Sequence, residues 1–540
     1  MRSLFSLATG MTVSFGLIMN PFMASAAEVP STPATPIQHV VIIYGENVSF
    51  DHYFATYPVA VNPPGQPRFK ALPGTPAVNG LSGSLLTNNP NFLNSGNGTG
   101  AANPFRFNRD QALTADMGHS YAPEQQAYDR GAMDLFPKNT GSAGGTTILT
   151  PPAVATKGEV MGYYDGNTVT AMWNYAQHFA MNDNNFNTQF GPSSPGALNL
   201  ISGQTNGIVA TLNGPSGSEV ADGQGGFTLI GDADPLTDVC SSSTSFQASL
   251  GGTNVGNLLN NAGISWGWFQ GGFDLTVTNP NGTTLCKRST VSPITGLTEG
   301  DYVQHHNPFQ FYASTRNSAH TRPTSIATIG QAGDAGNHIY DIHDFFDALN
   351  AGNLPAVSFL KAQSYQNAHP GNSNPLDEQA FVVNVINTLE ASPFWSTTAV
   401  IIDYDDSDGW YDHQMAPIVN ASFSASDSVS GTNACGTLGT TAQLPGISSG
   451  TAPVNGRCGY GPRTPLLVIS PWAQPNYVDH TLTNQASLLL FIEQNWNLGF
   501  IGDGSFDAIS NPINNMFNFS EGTPQNTNLL ILSPITGEPE

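Results

Sequence analysis

Two apolar runs in this chain end abruptly in oxygen donors. "VVIIYGEN" passes at Gly45 into Glu46-Asn47, and "AVIIDYDDSDG" passes at Tyr404 into Asp405-Asp406-Ser407-Asp408. Glu46, Asn47, Asp405 and Asp406 together offer three carboxylates and an amide oxygen, a hard donor set suited to a divalent cation whose identity the residues do not specify. Asn and Asp also cap helices and turns, and either pair alone is better explained that way. Two pairs placed identically after apolar runs point to a site instead.

A candidate nucleophile lies in "FGPSSPGALNLISGQ", residues 190–204. Gly191-Pro192 makes a turn, Pro195 suits the first turn of a helix and "ALNLI" continues it, which puts Ser193 and Ser194 at a helix N-terminus. Backbone amides there favour an anion such as phosphate, and a nearby cation lowers the pKa of a serine hydroxyl. Among the 12 histidines, four sit in polar, loop-like company: His119 in "DMGHSY", His305 and His306 in "VQHHNPF", and His369 in "NAHPGNSNP". An imidazole in such a place can contact a phosphoryl oxygen or protonate a leaving alcohol. His39, His178, His338 and His343 fall inside strand or helix patterns and read as structural.

These residues need a scaffold that brings distant segments together. Short β-branched runs at 40–44, 264–269, 356–360, 399–404 and 465–470 are near-continuously apolar, the pattern of strands covered on both faces. Helical periodicity at 168–180, 339–352 and 483–497 falls between them. The alternation predicts one α/β domain, a doubly wound and mostly parallel sheet flanked by helices, with loop insertions at 79–103, 204–258 and 421–456. Ligands of such sheets bind beyond the carboxyl ends of the strands, where Glu46-Asn47 and Asp405-Asp406 would lie.

Bulk composition bounds the partners. Acidic residues outnumber basic ones 39 to 15 and the basic ones never cluster, which excludes a nucleic-acid or anionic-membrane footprint. Residues 1–26 have the charge, apolar stretch and small-residue end of a cleaved signal peptide, so export to the periplasm or beyond is expected, without a stable membrane anchor. Residues 27–36 read as a linker, 37–515 as the catalytic domain and 516–540 as a tail. In an oxidising compartment the four cysteines are expected to pair as Cys240–Cys286 and Cys435–Cys458, each closing one loop-rich segment.

The ordered motifs "ENVSFDHYFATYP", "GPSSPGALNLISGQ", "HHNPF", "NAHPGNSNP" and "YDDSDGWYDH" resemble the bacterial phosphoesterase family of phospholipases C and respiratory-burst-inhibiting acid phosphatases. The resemblance implies an alkaline-phosphatase-like core and a covalent phospho-enzyme. It further implies that Glu46, Asn47, Asp405 and Asp406 bind metal, and that Ser193, third in its motif, is the nucleophile and touches the metal. His119, His306 and His369, with His305 beside them, would contact the phosphoryl group or protonate the leaving oxygen.

"ENVSF" and "DDSDG" stand where the phospholipases usually carry Glu-Asn-Arg-Ser-Phe and Asp-Glu-His-Gly-Gly, which leans the chain towards the acid phosphatases. Because the recognisable core nearly exhausts the length, the extra C-terminal β-domains that several phospholipases carry are not expected here. The resulting expectation is a secreted, metal-dependent acid phosphatase that cleaves phosphomonoesters. His306 or His369 would be the general acid, and protonated histidines imply an acidic optimum. The alternatives are a phospholipase C with a lipid diester substrate, for which "WGWFQGGF" and "NPFQFY" could line a pocket, and a non-catalytic secreted protein that holds a metal for stability. Asp51 and His52 are read as supports of the Glu46 loop.

Overall fold

The computed structural model describes residues 32–143, 154–437, 440–441, 444 and 454–540. The signal peptide and the first part of the linker lie outside the described residues, as does part of the 421–456 loop.

Eight strands form the central sheet: β1 His39–Gly45, β2 Ala180–Asn182, β3 Trp266–Gln270, β4 Ile339–Asp341, β5 Val357–Lys361, β6 Thr398–Tyr404, β7 Leu466–Ile469 and β8 Tyr477–Asp479. Their order across the sheet is β4-β3-β5-β1-β6-β7-β2-β8. All neighbours run parallel except at β7, which is antiparallel to both β6 and β2. All five apolar runs are strands of this sheet, and the expected α/β architecture is the observed one. The direction of β7 was invisible beforehand, because a continuous apolar run reports coverage on both faces and not polarity.

Helices cover both faces. The main ones are α1 Phe50–Phe54, α2 Thr170–His178, α3 Ser193–Ser202, α4 Ile342–Asn350, α5 Pro375–Glu390 and α6 Gln485–Trp496. Tyr44 pairs with Asp403 and Gly45 with Tyr404 in the β1–β6 register, so Tyr44 and Tyr404 point to opposite faces. Tyr44 meets Gln485 of α6, while Tyr404 meets Glu378 of α5, which assigns those two helices to the two sides.

Local sequence accounts for the helix starts. Asn374 caps α5 through the amides of Leu376 and Asp377, with Pro375 in the first turn, so the loop-like segment around His369 ends directly in a helix. Asn484 and Ser487 form a capping box on α6, and Asp341 and Asp344 one on α4; the first three residues of the segment expected to be helical at 339–352 are instead strand β4, and the helix begins only after the Asp341 cap. Both disulfides form as expected, Cys240–Cys286 and Cys435–Cys458, with Cα separations of 5.2 and 5.8 Å. The last residues pack on the body: Leu532 is fully buried and its carbonyl accepts from Asn387 of α5. No described helix is long and apolar enough to cross a membrane.

Candidate active site

Register places the first donors. Since Gly45 and Tyr404 are partners at the ends of parallel β1 and β6, Glu46 and Asp405 leave the sheet side by side. Asn47 turns back with φ at 59°, its amide donates to Asp405 Oδ1 at 3.1 Å, and Asp406 N donates to the same oxygen at 2.8 Å. Behind this loop Ser49 caps α1, Asp51 pairs with Arg463 at 3.1 Å, and His52 stacks on Trp410 at 3.9 Å. Asp51 and His52 thus pack as supports of the loop.

Ser193 opens α3, and its hydroxyl lies 3.1 Å from Glu46 Oε2 and 3.2 Å from Asp406 Oδ2. Ser194 is turned away, with amide and hydroxyl both on Asp232 Oδ1 at 3.0 and 2.9 Å. The close approach of α3 depends on Gly196, where a Cβ would lie 2.0 Å from the Asp405 carbonyl oxygen. The structure therefore brings Glu46, Asn47, Ser193, Asp405 and Asp406 together, all buried. Asn47 Oδ1 is buried without a protein hydrogen-bond partner, although unpaired buried amide oxygens are costly. That orphaned oxygen, beside carboxylates and a hydroxyl, is the donor chemistry a divalent cation would satisfy.

The four singled-out histidines ring this centre unequally. His306 is buried with Nδ1 2.8 Å from Glu46 Oε1. Burial, then the neighbouring His305 and Lys361, push its pKa well below the ordinary value, so its ring is neutral and suited to orient Glu46. His119 lies 3.0 Å from Asp408 Oδ1. Burial alone would lower its pKa, but Asp406 and Asp408 outweigh that and raise it well above the usual range. Its ring is 5.9 Å from that of His369. Together with Asp116 and Asp408 these two histidines place one donor atom each within 4.8 Å of one another. His305 sits further out, 27% exposed and 4.0 Å from Asp234. Of the histidines read as structural, His338 stacks on Trp266 at 4.3 Å and His39 meets Phe394 edge-on at 4.9 Å, whereas His343 is partly exposed beside Asp274, Asp341 and Asp344.

Several groups at the site escaped the sequence reading. Lys361 at the end of β5 is fully buried, touching Glu46 Oε1 and lying 3.3 Å from Asp405 Oδ2. Its signal was present, a charge directly after the run "AVSFL". Asp408 receives the Asn47 amide group at 3.3 Å and Met117 N at 3.0 Å. Glu124 accepts from Gly191 N at 2.9 Å and Ser407 Oγ at 3.0 Å, joining the nucleophile turn to the Asp405 loop; burial raises its pKa to about 8. Burial likewise raises Asp405 and Asp408 to about 6 each, and lifts Asp406 well above the usual range. Glu46 goes the other way: burial would raise it, but Lys361 holds it below the ordinary value. A group of clustered carboxyls pushed upward is short of positive charge, which a cation would supply. Beside the site opens a cavity of about 440 Å³ whose lining includes His119, Pro192, Ser216, Ser218, Asp232 and Ser426.

The chain belongs to the Phosphoesterase family, whose model matches residues 37–499. Among curated relatives it is 25% identical to the non-hemolytic phospholipase C of Burkholderia pseudomallei, over 92% of this chain and 61% of that one. It is 24% identical to the protein of the same name from Pseudomonas aeruginosa, over 86% and 54%. Phospholipase C A of Mycobacterium tuberculosis is 25% identical over 93% and 81%. The chain thus spans less than two thirds of the length of the first two. Superposition on murine ectonucleotide pyrophosphatase/phosphodiesterase 5 covers 65% of this chain and 95% of that one at TM-score 0.30 and 12% identity. A variant of the alkaline phosphatase PafA gives TM-score 0.32 at 10% identity, over 91% and 100%. These superpositions are loose, and the description of the fold rests on the strand order above.

Proposed function

We propose that the protein is an exported, metal-dependent phosphoric ester hydrolase that cleaves phosphomonoesters through a phosphoserine on Ser193. The observation that carries this reading is the Ser193 hydroxyl held 3.1 Å from Glu46 Oε2 and 3.2 Å from Asp406 Oδ2, next to the unpaired Asn47 oxygen. A divalent ion held by Glu46, Asn47, Asp405 and Asp406, with Ser193, would supply charge that acidifies the hydroxyl and offsets that of the phosphate.

Glu46 and Asp406 are the acceptors in reach of the Ser193 proton. As Oγ forms its bond to phosphorus, the bond from phosphorus to the ester oxygen breaks, and the departing alkoxide takes a proton. His119, kept cationic by Asp406 and Asp408, is placed to donate it or to hold an equatorial oxygen, with His369 beside it. His306, neutral and turned to Glu46, orients that carboxylate rather than acting as the acid. Water then attacks the phosphoserine and releases phosphate. Two disulfides fit an oxidising, exported setting.

A monoester preference is supported by the adjoining cavity, whose lining mixes serines, a histidine and an aspartate and holds one aromatic residue, Tyr121. A phospholipid diester is the second reading, favoured by the names of the curated relatives. Rates on p-nitrophenyl phosphate and p-nitrophenyl phosphorylcholine with added divalent ions separate the two. The monoester should turn over faster, and Ser193→Ala should abolish turnover of both while still binding the ion. Near-full activity in Ser193→Ala would overturn the covalent scheme, and no hydrolysis of either ester with any divalent ion would leave a non-catalytic metal-binding protein.

A further inference from the structure

The buried lysine at the centre is assigned no role by the reaction above, yet an ammonium withdrawn from water carries a large desolvation penalty before pairing. Lys361 occupies the last position of β5, after "VSFL", where an apolar side chain would continue the core. Instead its ammonium is fully enclosed. It touches Glu46 Oε1, lies 3.3 Å from Asp405 Oδ2 and 3.3 Å from the Gly45 carbonyl, and sits 4.9 Å over the Tyr44 ring.

Its three oxygen contacts all avoid the oxygens that the nucleophile uses. Ser193 meets Glu46 Oε2 and Asp406 Oδ2; Lys361 meets Glu46 Oε1 and Asp405 Oδ2. The other Asp405 oxygen is already taken by the Asn47 and Asp406 amides. Glu46, Asp405 and Asp406 bring three negative charges, and Lys361 returns one positive. His119 and Asp408 form a separate pair of opposite sign. The net of minus two equals the charge of one divalent ion, whereas the bare carboxylates would match a trivalent one. Phosphoryl-transfer sites with two metal ions use a pair of cations about 4 Å apart to share such carboxylates.

We propose that Lys361 is a built-in cation of the site, its ammonium clamping Glu46 and Asp405 from the oxygens Ser193 leaves free, so that the remaining donors take a single divalent ion. This rests on the metal-dependent reading above. Lys361 is a positioning residue, acting through the two carboxylates, and it sets the charge that an incoming ion meets.

The test uses the full chain and metal ions alone. Equilibrium dialysis with Mn²⁺ should give one ion per wild-type chain. Lys361→Met keeps the length of the side chain and removes its charge, leaving the site at minus three. The affinity for Tb³⁺, read by luminescence, relative to that for Mn²⁺ should then rise at least about tenfold over wild type, since the size and coordination preferences of each ion cancel between variant and wild type and the lost positive charge favours the trivalent ion. A purely structural lysine would weaken both ions together. Adding Asp405→Asn to Lys361→Met restores minus two and should return the ratio towards the wild-type value. Two Mn²⁺ ions per chain that both survive Asp408→Asn, which breaks the separate Asp116–His119–His369–Asp408 group, or an unchanged ratio in a Lys361→Met chain with native near-ultraviolet circular dichroism, overturns the inference. If Lys361→Met does not fold, that stoichiometry decides. No bound Mn²⁺ in the wild type sinks the metal-dependent reading itself, a result distinct from either of these.

Discussion

Glu378→Gln should make the protein more stable at pH 8 and leave it little changed near pH 4. Glu378 stands in the first turn of α5, fully enclosed, and accepts from Tyr404 Oη at 2.6 Å and Tyr53 Oη at 2.7 Å. It thereby bolts the end of β6 to α1, the two elements that carry the Asp405 and Asn47 loops. Burial raises its pKa from 4.5 to about 7. A carboxyl whose pKa is higher in the folded than in the unfolded state binds its proton more tightly when folded. Its contribution is therefore complete below about pH 4.5 and is lost as the pH rises through about 7.

The shift corresponds to about 3 kcal/mol at roughly 1.4 kcal/mol per pH unit. Glutamine imitates the protonated acid and cannot ionise. For a chain of roughly 500 residues the unfolding entropy is about 1 kcal/mol/K, so the variant should melt about 3 °C above wild type at pH 8. Differential scanning calorimetry of both proteins at pH 4, 6 and 8 reads this directly. The reasoning is refuted if the difference in Tm between variant and wild type is the same at all three values, because a packing effect would not vary with pH.

Gly196→Ala drives a Cβ into the Asp405 carbonyl, so α3 must retreat and carry Ser193 off its carboxylates; turnover should fall at least about a hundredfold while the melting temperature drops by only a few degrees. Ester hydrolysis should vanish on dialysis against a chelator and return with a divalent ion, and Tm should rise with that ion's concentration as binding to the folded state requires. A chelated protein that keeps its rate would contradict the cation site. Glu124→Gln, whose carbonyl oxygen still accepts from Gly191 N and whose amide group can donate to Ser407 Oγ, should stay within about threefold of wild-type turnover, whereas Glu124→Ala leaves Gly191 N and Ser407 Oγ without that partner and should lose far more. Replacing Cys435 and Cys458 by alanine opens a loop with a sequence separation of 23. The loss should be about 3 kcal/mol, measurable as a lower denaturant midpoint.

How much of this was legible beforehand follows from which forces are local. The runs that became β1, β3, β5, β6 and β7 could be found because burial on both faces leaves them mostly apolar, with isolated exceptions such as Ser358 and Asp403. Carboxylates directly after β1 and β6 stood out against that background, and Ser193 was placed by the Gly-Pro turn and Pro195 that begin α3. The same logic applied to β5 would have flagged Lys361, whose charge ends an apolar run as Glu46 does. The helix α5 was half hidden, since its cap and first turn, Asn374-Pro375, look like loop until the apolar periodicity beyond them is counted.

Read alone, the amino-acid order determined that two acidic strand ends, a helix-borne serine and a set of loop histidines exist, and that an α/β sheet could gather them. Only the tertiary structure decided that Gly45 sits level with Tyr404, that β7 runs backwards, and that Lys361 rather than solvent fills the far side of Glu46. It alone divided the histidines, with burial pushing the pKa of His306 down while Asp406 and Asp408 outweigh burial and push that of His119 up. Strand register, crossover direction and the field at a buried atom depend on residues hundreds of positions apart, and no local pattern of side chains encodes them.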